Sequence, residues 1–148
     1  MKYFSIAELT HSDTAISKGI NNNPTEAAKL HLTELIESIL DPLREAWGSP
    51  IKVTSGYRGW QLNKAIGGST TSAHSIGYAA DLVPIKRPMK EFKEFVKNWL
   101  ITNKIPFDQY IDEHSGSSEW VHIGLKNNSG KQRKQFLLYK SGKYSFLK

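Results

Sequence analysis

Between residues 27 and 47, apolar side chains recur at helical spacing: Ala27, Leu30, Leu35, Ile36, Ile39, Leu40, Leu43 and Trp47. That pattern predicts one long helix, about 24–47, with a single face in the core. Asn23 before Pro24 is a start signal, a capping side chain followed by a proline at the first helical position. Pro42 is expected to kink the helix or end its first segment, Gly48 to stop it, and Pro50 to prevent its resumption. A second stripe of Met89, Phe92, Phe95, Val96 and Trp99 predicts a helix over 88–102. Shorter helices are expected at 5–10 and 59–66, with 11–23 (HSDTAISKGINNN) as a loop. Alternation and β-branched content predict strands at 51–55, 79–83, 120–125 and 135–139, with shorter extended pieces at 108–111 and 144–147. The polar run DEHSGSS (112–118) reads as a loop, and Asn127 to Gly130 as a turn. Strands interrupted by helices and ending in an antiparallel pair predict an α+β fold, a small and mainly antiparallel sheet with helices packed against it.

Composition narrows the class. The 148 residues fit one domain, 1–148, and show no repeat, low-complexity stretch or linker. Hydrophobic residues at 39% and charged residues at 23% belong to a soluble globular chain. No apolar run approaches the ~18 residues of a membrane span, and the N-terminus MKYFSIAELTHSD has no apolar segment of signal-peptide type. The expectation is therefore a monomer without a membrane span, cytoplasmic until released by lysis or a dedicated export route. Cysteine is absent, so disulfides and thiolate metal sites are excluded, and any metal must be held by His, Asp or Glu. A net charge of +6 favours an anionic partner such as nucleic acid, a membrane surface or an acidic wall polymer. Its densest run is Lys131, Arg133 and Lys134, and a merely solvated surface explains it equally well.

The chemistry concentrates in 55–81, SGYRGWQLNKAIGGSTTSAHSIGYAAD, and in EWVHIGL, 119–125. His74 and Asp81 are of metal-ligand type, as is His122; two imidazoles and a carboxylate leave one position open on a zinc ion. Seven residues separate His74 from Asp81. On one helix they would lie ~10 Å apart along the axis, and on one strand ~23 Å. They converge only if the chain turns between them, and Gly77 is best suited to allow that. His74 is thus expected on a loop and Asp81 at the start of a strand. In a regular strand Val121, Ile123 and Leu125 face the core, while Trp120, His122 and Gly124 face the site. Glu119 then falls on the wrong side, and can reach the metal only from a preceding loop or a bulge.

Three segments, in this order, carry a family resemblance: Ser55 to Arg58 (SGYR), Ser72 to Asp81 in the pattern Ser-x-His-x-x-Gly-x-Ala-x-Asp, and Glu119-Trp-Val-His122. Together they resemble the M15 zinc peptidases, which include D-Ala-D-Ala carboxypeptidases, D-Ala-D-Ala dipeptidases of vancomycin resistance, and phage endolysins cutting L-alanoyl-D-glutamate bonds. The resemblance implies a Hedgehog/D-Ala-D-Ala-peptidase-like fold, Zn2+ as cofactor and peptidoglycan stem peptides as substrate. It implies His74, Asp81 and His122 as zinc ligands and Glu119 as general base. It makes Arg58 the group on the oxyanion or substrate carbonyl, and Ser72 a substrate contact. The lack of a leader or wall-binding repeat looks more like a phage or prophage lysis protein, or a stand-alone peptidase, than a secreted multidomain carboxypeptidase.

Each residue also has a plainer reading. His74 can be a loop histidine, Asp81 a turn former, His122 a satisfied core histidine, Glu119 a solvated loop acid and Arg58 a salt-bridge partner. Ser72 lies in a serine-rich loop; His114 and His31 match no motif. Two other functional classes follow: a non-catalytic, zinc-containing cell-wall-binding module of the same fold, and, from charge alone, a nucleic-acid binder.

Overall fold

The computed structural model describes residues 1–147. Two short helices, α1 (Ile6–Thr10) and α2 (Asp13–Lys18), precede α3 (Glu26–Leu35), a π-helical turn (Ile36–Leu40) and α4 (Asp41–Trp47). There follow β1 (Ile51–Ser55), α5 (Trp60–Ala65), a 3-10 turn (Ala73–Ile76), β2 (Ala79–Pro84) and α6 (Met89–Thr102). The chain closes with β3 (Gln109–Ser115), β4 (Ser118–Gly124), β5 (Gln135–Lys140) and β6 (Lys143–Phe146). The strands form one six-stranded sheet in the order β1-β2-β4-β3-β5-β6, antiparallel except for the β3/β5 pair. This is the α+β architecture that the hydrophobic pattern predicts.

Local chemistry explains where the expected elements shift. The first long helix starts at Thr25, not Asn23: its hydroxyl accepts from the Ala28 N–H at 3.1 Å and caps the free turn. Pro42 neither breaks nor splits it. A proline cannot donate to the carbonyl four residues back, and the π turn, in which the Asp41 N–H reaches the Ile36 carbonyl, takes up the lost bond. Leu30 of the predicted stripe is 72% exposed, and Leu32 takes the buried place. The loop expected at 11–23 contains α2, capped by the Ser12 hydroxyl on the Ala15 N–H and closed by Gly19. The loop expected at 112–118 is the tip of a hairpin in which β3 and β4 pair in continuous register out to Ser115 opposite Ser118.

One face of the sheet is packed by helices. Leu32, Leu35, Ile36, Ile39, Leu40, Leu43 and Trp47 from the long helix meet Phe92, Val96 and Leu100 of α6 over Ala80, Leu82, Val121, Ile123 and Tyr110. The other face is left for chemistry. Because alternate residues of a strand project to opposite sides, burying Val121 and Ile123 against the helices turns Trp120, His122 and Gly124 the other way. The N-terminal segment is tied down by Asp41, whose carboxylate accepts from the backbone N–H of Lys2, Tyr3 and Phe4 at 2.5, 3.0 and 3.1 Å.

Candidate metal centre

Three side chains converge on the open face. β2 and β4 pair with Asp81 directly opposite His122, so their side chains share one side of the sheet. His74 arrives from the 3-10 turn. Gly77, at φ 86°, closes that turn and lets the chain double back into β2; a Cβ there would sit 2.7 Å from the Ala28 carbonyl oxygen. Asp81 Oδ1 lies 3.3 Å from His74 Nε2 and 3.1 Å from His122 Nδ1. Ligand atoms ~2 Å from a tetrahedral zinc stand about 3.3 Å from one another, so this spacing suits such an ion. All three residues are buried, and together they could hold a metal.

The surroundings orient the ligands. His74 Nδ1 lies 2.7 Å from the Gly56 carbonyl, and a proton donated there leaves Nε2 free to face Asp81. Gly56 is itself fixed, for a Cβ would fall 2.2 Å from the Leu9 carbonyl oxygen, and Tyr57 N–H donates to that same oxygen at 2.6 Å. The Arg58 N–H then donates to the His74 carbonyl at 3.0 Å. Asn22, in a stretch whose sequence suggested only a loop, donates to the Tyr57 carbonyl at 2.9 Å and accepts from the Gly59 N–H at 2.8 Å. On the far side of the turn, the His31 ring stacks on Tyr78 at 4.0 Å and its Nδ1 contacts the Ile76 carbonyl at 2.6 Å.

Burial and charge set the ionisation. Burial lowers the His74 pKa, against the pull of Asp81, and so favours the neutral imidazole that can ligate. Burial acts in the same direction on His122, but the hydrogen bond its ring donates to Asp81 and the charges of Asp81 and Glu113 outweigh it and raise its pKa. For Asp81, burial is overcome by the two imidazoles, and the carboxyl is held well below its usual range.

The sequence-predicted residues do not all gather here. Arg58 and Ser72 do: both line a cavity of about 520 Å³ with His74, Asp81 and His122, and Arg58 Nη2 donates to Ser72 Oγ at 3.3 Å. Arg58 Nε is buried without a hydrogen-bond partner among the described residues. Burial lowers the guanidinium pKa, with Asp81 and Glu113 opposing.

Glu119 is elsewhere. β4 is regular through it, without the bulge that would turn it round, so it projects to the side opposite His122. There it pairs with Lys93 of α6, and its Oε1 lies 3.8 Å from His114 Nδ1. The acid beside the candidate ligands is Glu113, from β3. It stands opposite Trp120 in the ladder, lines the same cavity, and accepts a 2.5 Å hydrogen bond from Trp120 Nε1. Burial raises its pKa above the usual glutamate value; His122 pulls the other way. Pairing 112–118 as a hairpin about Gly116 would have exposed this: Ile111 opposite His122 puts Glu113 two residues on, on the same side.

The sequence model of the family described as Peptidase M15 matches residues 2–124, so the chain belongs to that family and is of metallopeptidase type. No curated protein matches the chain closely enough to count as a relative.

Proposed function

We propose that this M15 peptidase is a zinc-dependent hydrolase of peptidoglycan stem peptides, with Glu113 in place of Glu119 as its general base. The observation that carries the reading is the gathering of His74, Asp81 and His122 about one point, with Glu113 on the same side of the sheet. A zinc ion held by those three would supply Lewis acidity and bring the pKa of a bound water to about 7. Glu113, restrained by Trp120, takes the proton of the attacking water and returns it to the leaving amine. Arg58 keeps a permanent charge beside the site and has an uncommitted buried Nε–H to direct at the oxygen that gains negative charge. Ser72 holds the guanidinium on its other side and lines the place where substrate lies. The net charge of +6 suits an anionic wall.

The test compares two isosteric changes on purified sacculi, reading released fragments by mass spectrometry. Glu113→Gln is expected to lower hydrolysis by about 10²–10⁴-fold, while Glu119→Gln stays within a few-fold of the parent. The reverse pattern would return the base to Glu119. Zinc retained in both variants, measured by native mass spectrometry, separates a lost base from a lost metal. Wall binding without any cleavage by the parent would place the chain among non-catalytic modules instead.

A further inference from the structure

The net positive charge of the chain is confined to its last stretch. Residues 125–148 hold seven of the 20 Lys and Arg and none of the 14 Asp and Glu, so they carry +7 and residues 1–124 carry −1. The same stretch lies beyond the match to the family model, which ends at residue 124. Segregation of this kind is the electrostatic mark of a surface that meets a polyanion. Two of the seven are already answered: Lys126 Nζ lies 3.0 Å from Glu34 Oε2, and Arg133 Nε lies 2.7 Å from Asp108 Oδ1. Lys131, Lys134, Lys140 and Lys143 are exposed and make no ion pair among the described residues.

Their placement goes against what a sheet would choose for itself. Lys140 closes β5, Lys143 opens β6, and the two stand directly opposite each other across the turn at Ser141 and Gly142. Like charges facing across a ladder repel, and neither lysine makes an ion pair that would relieve it. The length of β5 separates this pair from Lys131 and Lys134, five rises of ~3.3 Å or about 17 Å. One small anion cannot reach both ends; a strand of repeated negative charge can. A lysine ammonium is a point charge that takes a phosphate from any side, which suits a flexible strand without fixed register.

The hairpin is also joined to the candidate metal centre. Tyr139 and Tyr144 stand opposite each other with ring centroids 4.5 Å apart, and both line the cavity of His74, Asp81 and His122. Tyr139 is in turn opposite Glu113 in the ladder. Whatever the lysines hold is brought beside the groups that react.

We infer that the β5–β6 hairpin, with Lys131 and Lys134 before it, is a docking surface for a phosphodiester-linked polyol polymer of the cell wall, and holds the protein at its substrate. The choice of a wall polymer over other polyanions rests on the peptidase reading above and on the shared cavity; the need for repeated negative charge rests on the four lysines.

Pelleting with sacculi tests it. Zinc-loaded protein is mixed with sacculi that carry such a polymer, and with the same sacculi stripped of phosphodiesters by cold hydrofluoric acid. The parent is expected to bind the intact sacculi about ten-fold more tightly than the stripped ones, and to lose about ten-fold or more in affinity between 50 and 200 mM salt. Lys131→Gln, Lys134→Gln, Lys140→Gln and Lys143→Gln together should bring binding of intact sacculi down by about ten-fold, to the stripped level, while Arg at all four positions keeps it and zinc content is unchanged in both. Equal binding to the two kinds of sacculi, or undiminished binding by the Gln variant, would overturn the inference. Binding to anionic vesicles or single-stranded DNA as tight as to the wall would overturn it too, handing the surface to lipid or nucleic acid. Fragments released from the same sacculi, read by mass spectrometry, test the peptidase reading separately. Polymer-dependent binding with no fragments released would sink that reading and leave the docking surface standing; release from both kinds with equal binding would sink the docking surface alone.

Discussion

Two clusters of metal-ligand residues lie on opposite sides of the sheet, each with at least one member on the β3–β4 hairpin. On the open face are Asp81, His122 and the incoming His74, with Glu113 beside them; on the helix side are Asp112, His114 and Glu119. By residue type the two are nearly equivalent. They differ in what surrounds them. The open-face set is buried, with ring nitrogens aimed at one carboxylate oxygen and the fourth direction left to the cavity. The helix-side set is partly exposed and already holds a cation of its own: Lys93 Nζ lies 2.8 Å from Asp112 Oδ1 and pairs with Glu119 as well. A lysine tethered between two carboxylates answers their charge without metal. The two sets thus differ in what meets the carboxylate: Lys93 on the helix side, and two imidazoles at Asp81 on the open face.

The comparison can be broken most severely at Asp81. Asp81→Ala removes the oxygen both imidazoles face, and is expected to abolish zinc retention and cost about a thousand-fold or more in hydrolysis. Asp112→Ala should leave zinc content unchanged; elemental analysis of both variants after dialysis checks the pair. A smaller effect sharpens the role of the open-face acid. A general base works only when ionised, so Glu113 should set the acid limb of kcat/KM. The Trp120 N–H favours the ionised carboxylate, so Trp120→Phe should move that limb to higher pH by about one unit. A limb that moves down, or stays, would detach it from Glu113. The smallest change belongs to the helix side. Lys93→Met leaves two carboxylates without their shared partner, and should cost about 1–2 kcal/mol in urea unfolding while activity stays within a few-fold.

What could be read from the chain, and what could not, follows the same division. The long helix and α6 were legible because burial imposes a period over many residues, as at Ile36, Ile39, Leu43 and Trp47. The meeting of His74 and Asp81 was anticipated through Gly77, since only a turn can bring residues seven apart to one point, and the expected facing of Trp120 and His122 matches the strand. Glu119 shows the limit. A motif fixes its distance from His122 along the chain, but the side of the sheet depends on whether strand pairing extends to the hairpin tip. The polar residues of DEHSGSS gave no apolar alternation to reveal that pairing, so Glu113 was hidden in an apparent loop. The helix α2 was missed for a similar reason: six residues with Ala15 alone buried carry too little pattern, although Ser12 before Asp13 is a capping signal.

The contact of Leu9 with Gly56 and Tyr57 has a consequence for how the protein is handled. The carbonyl that steadies His74 belongs to a glycine lodged against the backbone of the first helix, with Asn22 bracing the same bend by donating to the Thr10 carbonyl at 3.0 Å. Trimming the opening ten residues, none of which lines the cavity of the candidate metal centre, would still withdraw the peg on which one imidazole's aim depends. Affinity tags and fusions therefore belong well clear of α1, because a disturbance there reaches the backbone carbonyl that orients His74.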